Sequence, residues 1–354
     1  MKTHQLGIAI LAMVASLNAQ ADYTAVSLGS SFISGGYSSS LNDLGQVAGL
    51  DASTNQAAIY TNGSIQDLGT LGGATSYAYG INNIGQVTGV ANNPGNANKA
   101  FLYSNGSMQE IVTIGGSRGE GLGNNNIGQV TGYEVYTNIT NTVKSRSYIY
   151  SNGSVRDLGN LGGNFTFAFA INNSGQVTGA SNNPGNASKA FLYSNDSMQD
   201  LGTLGGTNSR GLSINDSGQV TGFSDTSSFQ TRAFLYSNGS MQDLGSLGGT
   251  ISEGHDINNS GQVVGRSLIS GNQATHAFLY SNGAMTDLNS LLTLDSGAYL
   301  TDGLSINNIG QILARDNNGQ DYLITAAVPE ADTYCMLFVG LGLIGIMVRP
   351  KKNA

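Results

Sequence analysis

The sequence predicts an all-β fold assembled from one antiparallel meander used repeatedly, and three observations carry that expectation. The string "GQV" recurs at Gly45, Gly85, Gly128, Gly175, Gly218 and Gly261, and as "GQI" at Gly310, at intervals of 40, 43, 47, 43, 43 and 49 residues. Between recurrences, four short β-prone runs alternate with turn signals. The repeat also enters and leaves out of phase. "YTAVSLGS" from Tyr23 resembles a second run without its first, and "DYLITAA" at 321–327 resembles a first run without its second. A four-stranded unit of roughly 40–45 residues has the period of a propeller blade and is too long for β-helix turns. The complementary ends are expected to pair, which closes the array and protects its edge strands. Residues 22–327 are thus expected to form one β-propeller of seven four-stranded blades, closed by pairing of its N- and C-terminal strands.

Ahead of the repeat, "MKTHQLGIAILAMVASLNAQADY" has one lysine, an apolar run from Leu6 to Leu17 and an A-x-A pattern at Ala19 and Ala21. That is the layout of a secretory signal peptide over residues 1–21, and the run is shorter than the roughly 20 residues of a membrane span.

A full unit reads "AFLYSNGSMQDLGSLGGTISEGHDINNSGQVVG" from Ala233 to Gly265. Asn-Gly at Asn238 and Gly239 accepts positive φ and predicts a tight hairpin between "AFLY" and "SMQDLG". "INNSGQ" predicts a longer hairpin with Gly261 in the left-handed region. Runs such as "AFLY" are apolar on both faces, as suits a sheet stacked between two others. "NNPGNANKAFLYSN" from Asn92 and "NNPGNASKAFLYSN" from Asn182 differ at one position and lie two units apart, which reads as duplication of a two-unit block.

Behind the repeat comes "VPEADTYCMLFVGLGLIGIMVRPKKNA", residues 328–354. Its apolar part, Thr333–Val348, is expected to be a hydrophobic helix of about 24 Å, short of the roughly 30 Å core of a bilayer. Arg349, Lys351 and Lys352 are expected to stay cytoplasmic and leave Pro329 and Glu330 outside. Such a segment halts export and anchors poorly.

The joint pattern of "AFLYSNG", "DLGTLGG" and "INNSGQVTG", with a literal His-Ala-Phe in "THAFLYSNGAMTDL" at Thr275–Leu288, resembles the HAF-repeat proteins over most of the mature chain. That resemblance implies an extracellular setting and says little about activity. The tail resembles a PEP-CTERM sorting domain: Val328, Pro329 and Glu330, an apolar helix with small residues, then the basic Arg349, Lys351 and Lys352. Ala331 and Asp332 stand where that family often has Pro-Ser, and Pro350 interrupts its Arg-rich end. The resemblance implies export through the Sec machinery, transient insertion of the helix in the inner membrane, and recognition by exosortase, a membrane enzyme of Gram-negative bacteria that make extracellular polysaccharide.

Composition narrows the chemistry. Charged residues make up 10% of the 354, the net charge is −8 and Trp is absent. Nucleic acid is not expected as a partner, because phosphate binding needs clustered Lys and Arg. The one cysteine, Cys335, lies in the tail, so no intrachain disulfide forms. With His4 in the signal peptide, His255 and His276 are the only imidazoles left, too few for a Cys/His metal site or nucleophile pair.

An acid ends the second run of six units: Asp67, Glu110, Asp157, Asp200, Asp243 and Asp287. One acid per blade offers contacts for a cation or a polyhydroxyl ligand on a ring face; alternatively, each carboxylate accepts backbone amides and fixes the turn into "LGG". "DNNGQD" at Asp316–Asp321 is the nearest approach to a calcium loop, yet it lacks the bidentate Glu and the spacing. Tyr60, Tyr103, Tyr150, Tyr193, Tyr236 and Tyr280 are expected to pack between blades in preference to stacking on sugars. Glu253 and His255 break the repeat and share a strand face. No catalytic residue, metal site or cofactor is expected. The expectation is a non-enzymatic binding protein of the cell surface or extracellular matrix, with extracellular polysaccharide as partner. The alternatives are a secreted glycan hydrolase with paired carboxylates and a calcium-stabilised structural protein.

Overall fold

The computed structural model describes residues 23–35, 40–294 and 297–326. Ala19, Ala21, the motif residues Val328, Pro329, Glu330, Arg349, Lys351 and Lys352, and the expected C-terminal helix lie outside the described residues. Tyr23–Ala326 is a compact unit whose described residues form 28 β-strands and two short 3-10 turns. Among the described residues no helix is long and apolar enough to cross a membrane.

Each meander is built as the turn chemistry requires. In one of them, Gly248–Ile257 pairs with Val263–Ile269, that strand with Thr275–Ser281, and that with Ala284–Asp287, all antiparallel. Gly261 closes the first hairpin at φ 74°, and Asn282 and Gly283 close the Asn-Gly hairpin at φ 53° and 82°. The strand leading into "INN" is thus the inner edge of each sheet and the "SMQD" strand its outer edge. The sequence repeat is a circular permutation of the structural unit, with "AFLY" as the third strand.

The strands form a β-propeller, but the expected count of seven separate blades is corrected. Five four-stranded sheets stand alone, and the remaining two meanders share one eight-stranded sheet. Strand length explains the fusion. The inner strands Gly205–Ile214 and Gly248–Ile257 run 10 residues, against 6 for Ser76–Ile81 and Thr166–Ile171. The added length of the second brings Ile251 beside Thr231 of the preceding meander, and that parallel bridge joins the two.

The terminal strands pair as the phase of the repeat demands. Tyr23–Ser27 lies antiparallel to Asp321–Ala326, from Tyr23 opposite Ala326 to Ser27 opposite Tyr322. Among the described residues, the first strand is therefore the outer strand of the last sheet.

The repeated residues form the core between neighbouring sheets. The valine of "GQV" is fully buried at Val47, Val87, Val130, Val177, Val220 and Val263, as is the "AFLY" phenylalanine at Phe101, Phe191, Phe234 and Phe278. Burying each such side chain contributes about 1.5–3 kcal/mol. The glycine after "QVV" has a different cause. A Cβ on Gly265 would sit 2.0 Å from the Glu253 carbonyl oxygen, where the inner strand bulges between Gly254 and Asp256.

Candidate functional site

Two ends of the propeller carry contrasting residues. Connections in an antiparallel meander alternate between ends, so the "INNSGQ" and "SNG" turns share one end and the loops between second and third strands share the other. The first end is constant in sequence. The second holds loops as different as "DASTNQ" at 51–56 and "TNITNTV" at 137–143.

At the constant end, seven asparagines form a closed circle. The Nδ2 of Asn42 donates to the carbonyl of Asn82, Asn82 to Asn125, Asn125 to Asn172, Asn172 to Asn215, Asn215 to Asn258, Asn258 to Asn307, and Asn307 back to Asn42, at 2.8–3.1 Å. A second circle uses the next residue of each turn, whose backbone N–H donates to the side-chain oxygen of its counterpart one repeat on, ending with Asn308 donating to Asp43. Inside lies an axial cavity of ≈120 Å³. Asp256 lines it, 4% exposed, and accepts from Ser213 Oγ and Ser305 Oγ at 2.6 Å and from the Ile257 and Ile306 N–H groups at 2.9 Å. Burial pushes its carboxyl upward and these hydrogen bonds partly offset that.

The inner strands stand around this circle and carry half-exposed side chains at alternate positions. These are the positions where the repeat varies: Tyr77 and Tyr79, Phe167 and Phe169, Leu212, and Glu253 and His255 are half-exposed between buried small residues. Two sectors result. One is aromatic, a pocket of ≈300 Å³ between three inner strands lined by Glu120, Leu122, Tyr133, Phe167, Phe169 and Arg210. The other is charged. His255 Nδ1 lies 2.8 Å from Asp302 Oδ1 of the next repeat, and its Nε2 lies 3.5 Å from Glu253 Oε2, which also pairs with Arg266 at 2.9 Å. A groove of ≈530 Å³ with Arg266, Tyr299, Thr301, Asp302 and Asp316 in its wall adjoins this cluster. Burial lowers the affinity of His255 for a proton, yet Asp302 and Glu253 outweigh it and hold the imidazole at about 10. Glu253 is conversely kept below the usual carboxylate range, burial being outweighed by His255 and Arg266.

The acids singled out in the sequence are not brought together. Asp67, Glu110, Asp157, Asp200, Asp243 and Asp287 each end the outermost strand of a different meander. Asp157, Asp200, Asp243 and Asp287 accept the N–H two residues on at 2.7–2.9 Å, Asp67 accepts from Thr54, and Glu110 faces Lys99. Asp287 also meets His276 Nδ1 at 2.6 Å. In "DNNGQD", Asp316 Oδ1 accepts from the Asn318 and Gln320 N–H groups while Asp321 is held by Arg315, so both carboxylates serve the turn and the seam between first and last sheets. Tyr60, Tyr193, Tyr236 and Tyr280 are buried between sheets.

Asp302, Arg210, Glu120 and Tyr133 were not singled out by the motifs. Aligning the repeats on the small residue of the inner strand, Ala78, Gly121, Ala168, Gly211, Gly254 and Gly303 in turn, would have found most of them. The position before it reads Tyr77, Glu120, Phe167, Arg210, Glu253 and Asp302 in successive units.

No family model matches the sequence, and no curated protein matches it. Among solved structures, the chain is similar to the β-propeller domain of the trilobed protease from Pyrococcus furiosus, at 9% identity and a TM-score of 0.50, over 69% of this chain and 77% of that one. It is also similar to TolB from Acinetobacter baumannii (13% identity, TM-score 0.41, 79% of this chain and 63% of that one) and to a gluconolactonase from Xanthomonas campestris (10%, 0.45, 87% and 92%). At these identities the first likeness concerns the fold alone, and the other two add nothing to it.

Proposed function

We propose that the chain is an exported propeller that acts by binding, without catalysis, at the surface or in the extracellular matrix of a Gram-negative bacterium, with extracellular polysaccharide as its partner. Its tail is the sorting label read by exosortase. The observation that supports binding is the division of the ring: the repeat is kept where it builds scaffold, and its departures gather as aromatic and charged side chains on the inner strands. Aromatic faces, carboxylates and guanidinium groups in one concave place suit a ligand with apolar C–H faces and many hydroxyls.

One observation favours the hydrolase reading, since Glu253 and Asp302 from neighbouring repeats flank the same imidazole. A glycosidase, however, needs one carboxyl raised to act as acid, and Glu253 is pushed the other way. Asp256, the carboxyl that burial raises, is sealed by four donors.

Two readouts test the proposal. Intact mass of the protein from its native host is expected to lack residues 1–21 and the segment beyond about Pro329. A membrane-bound form retaining Arg349–Ala354 would remove the sorting role. Affinity electrophoresis through gels containing polysaccharide is expected to retard the protein while the polymer keeps its length. Shortening of the polymer would replace binding by hydrolysis.

A further inference from the structure

The aromatic pocket has three kinds of wall. Tyr133 and Phe167 meet edge to face with centroids 4.9 Å apart, Phe165 stacks beyond Phe167 at 6.5 Å, and Phe169 completes an apolar side. Glu120 is 7% exposed, and its Oε1 accepts Arg118 Nη2 at 2.7 Å, which leaves lone pairs on the carboxylate for a further donor. The third wall is Arg210.

Arg210 differs from the other arginines of the inner and second strands. Arg118 is held by Glu120, Arg266 by Glu253 and Arg315 by Asp321. Among the described residues Arg210 has no carboxylate and no hydrogen-bond partner; its guanidinium lies 5.8 Å from the centre of the Phe223 ring. An aromatic backing orients the planar fork and leaves its N–H groups for a carboxylate, the anion whose two oxygens match that fork.

The chain carries a net charge of −8, so its long-range field repels polyanions. An anion seated here is recognised by local contact. An apolar face, an acceptor for hydroxyls and a free guanidinium within ≈300 Å³ match one class of ring: a sugar that carries a carboxylate.

We propose that this pocket binds a uronate residue of an acidic polysaccharide. The carboxylate pairs with Arg210, the C–H face of the ring packs on Phe167 and Phe169, and a hydroxyl donates to Glu120. The proposal rests on the polysaccharide-binding reading above and names its ligand class.

The test compares three polymers against the processed full chain by affinity electrophoresis and calorimetry: polygalacturonate, its fully methyl-esterified form and neutral dextran. Polygalacturonate is expected to bind at least tenfold more tightly than its ester. Arg210→Ala is expected to remove that preference and Arg210→Lys to restore part of it. Phe167→Ala is expected to weaken both polymers. An unchanged thermal melt for the Arg210 variants confirms that the fold is intact, as an exposed side chain allows. Equal affinity for acid and ester, or an Arg210→Ala variant that keeps the preference, overturns the uronate assignment and leaves polysaccharide binding standing. Failure of all three polymers to bind overturns both.

Discussion

The two ends of the inner strands are built from the same segments and solve opposite problems. At the constant end the asparagines of the circle have both their amide nitrogen and their amide oxygen engaged. Asn125 is 3% exposed; its Nδ2 donates to Asn172 and Gln129, and its Oδ1 accepts the N–H groups of Gln129 and Ile127. At the other end Arg210 is unpaired among the described residues, and aromatic rings are left half-exposed. A ring that closes on itself must repeat identical hydrogen bonds, whereas a surface that recognises something must differ from sector to sector. The repeat therefore holds at one end and lapses at the other.

The contrast breaks most visibly at the asparagine circle. Asn125→Ala strands two backbone donors and a backbone acceptor in a buried place, at a cost of about 3 kcal/mol. Urea unfolding should show that loss at the midpoint, with ligand binding unchanged in the surviving folded fraction. A cost below about 1 kcal/mol would mean that the circle is incidental to closure.

The charged sector comes next, through pH. The proton affinity of His255 is raised from 6.5 to about 10 in the folded chain. A group raised on folding stabilises fully below its unfolded value and loses that contribution as pH rises through its folded value. Wild-type stability is therefore expected to decline between about pH 6.5 and 10 by a component that His255→Gln abolishes. The substitution itself should cost about 2 kcal/mol at pH 6, because it leaves Glu253 and Asp302 with an uncharged neighbour. Parallel pH profiles for the two proteins would remove the ion cluster from the account.

A smaller effect is expected at the rim. Asp243 accepts the Gly245 N–H at 2.7 Å, so Asp243→Ala should cost about 1 kcal/mol and leave polysaccharide affinity untouched. A drop in affinity would return the six acids to the binding surface. The smallest stability change is expected for Arg210→Ala, within about 0.5 kcal/mol of wild type, although its effect on ligand preference is the largest of the set.

Much of the scaffold was legible because repetition multiplies weak signals. One "SNG" or one "GQV" is poor ground for a hairpin, while six "GQV" and one "GQI" at a near-constant interval identify the meander, and the out-of-phase fragments at Tyr23 and Asp321 announce their pairing. The shared sheet was not legible, since it depends on how far Ile251 extends beside Thr231, a matter of twist and strand length that no motif encodes. The charged cluster was half legible. Glu253 and His255 stand two apart on one strand, but Asp302 belongs to the next repeat and meets them only when the ring forms. The recurring acids follow the same rule as the core, that regular recurrence marks scaffold: Asp157, Asp200, Asp243 and Asp287 accept turn N–H groups, as the turn-fixing alternative expected.

The most direct test of the divided ring is to titrate the isotopically labelled protein with polygalacturonate oligomers and follow backbone amide resonances. The account predicts shifts concentrated at 118–122, 133, 165–169 and 210, with the amides of the GQ turns at 42–46, 125–129 and 215–219 unmoved. Shifts centred on those turns, or on the outer strands that end in Asp200 and Asp243, would contradict it.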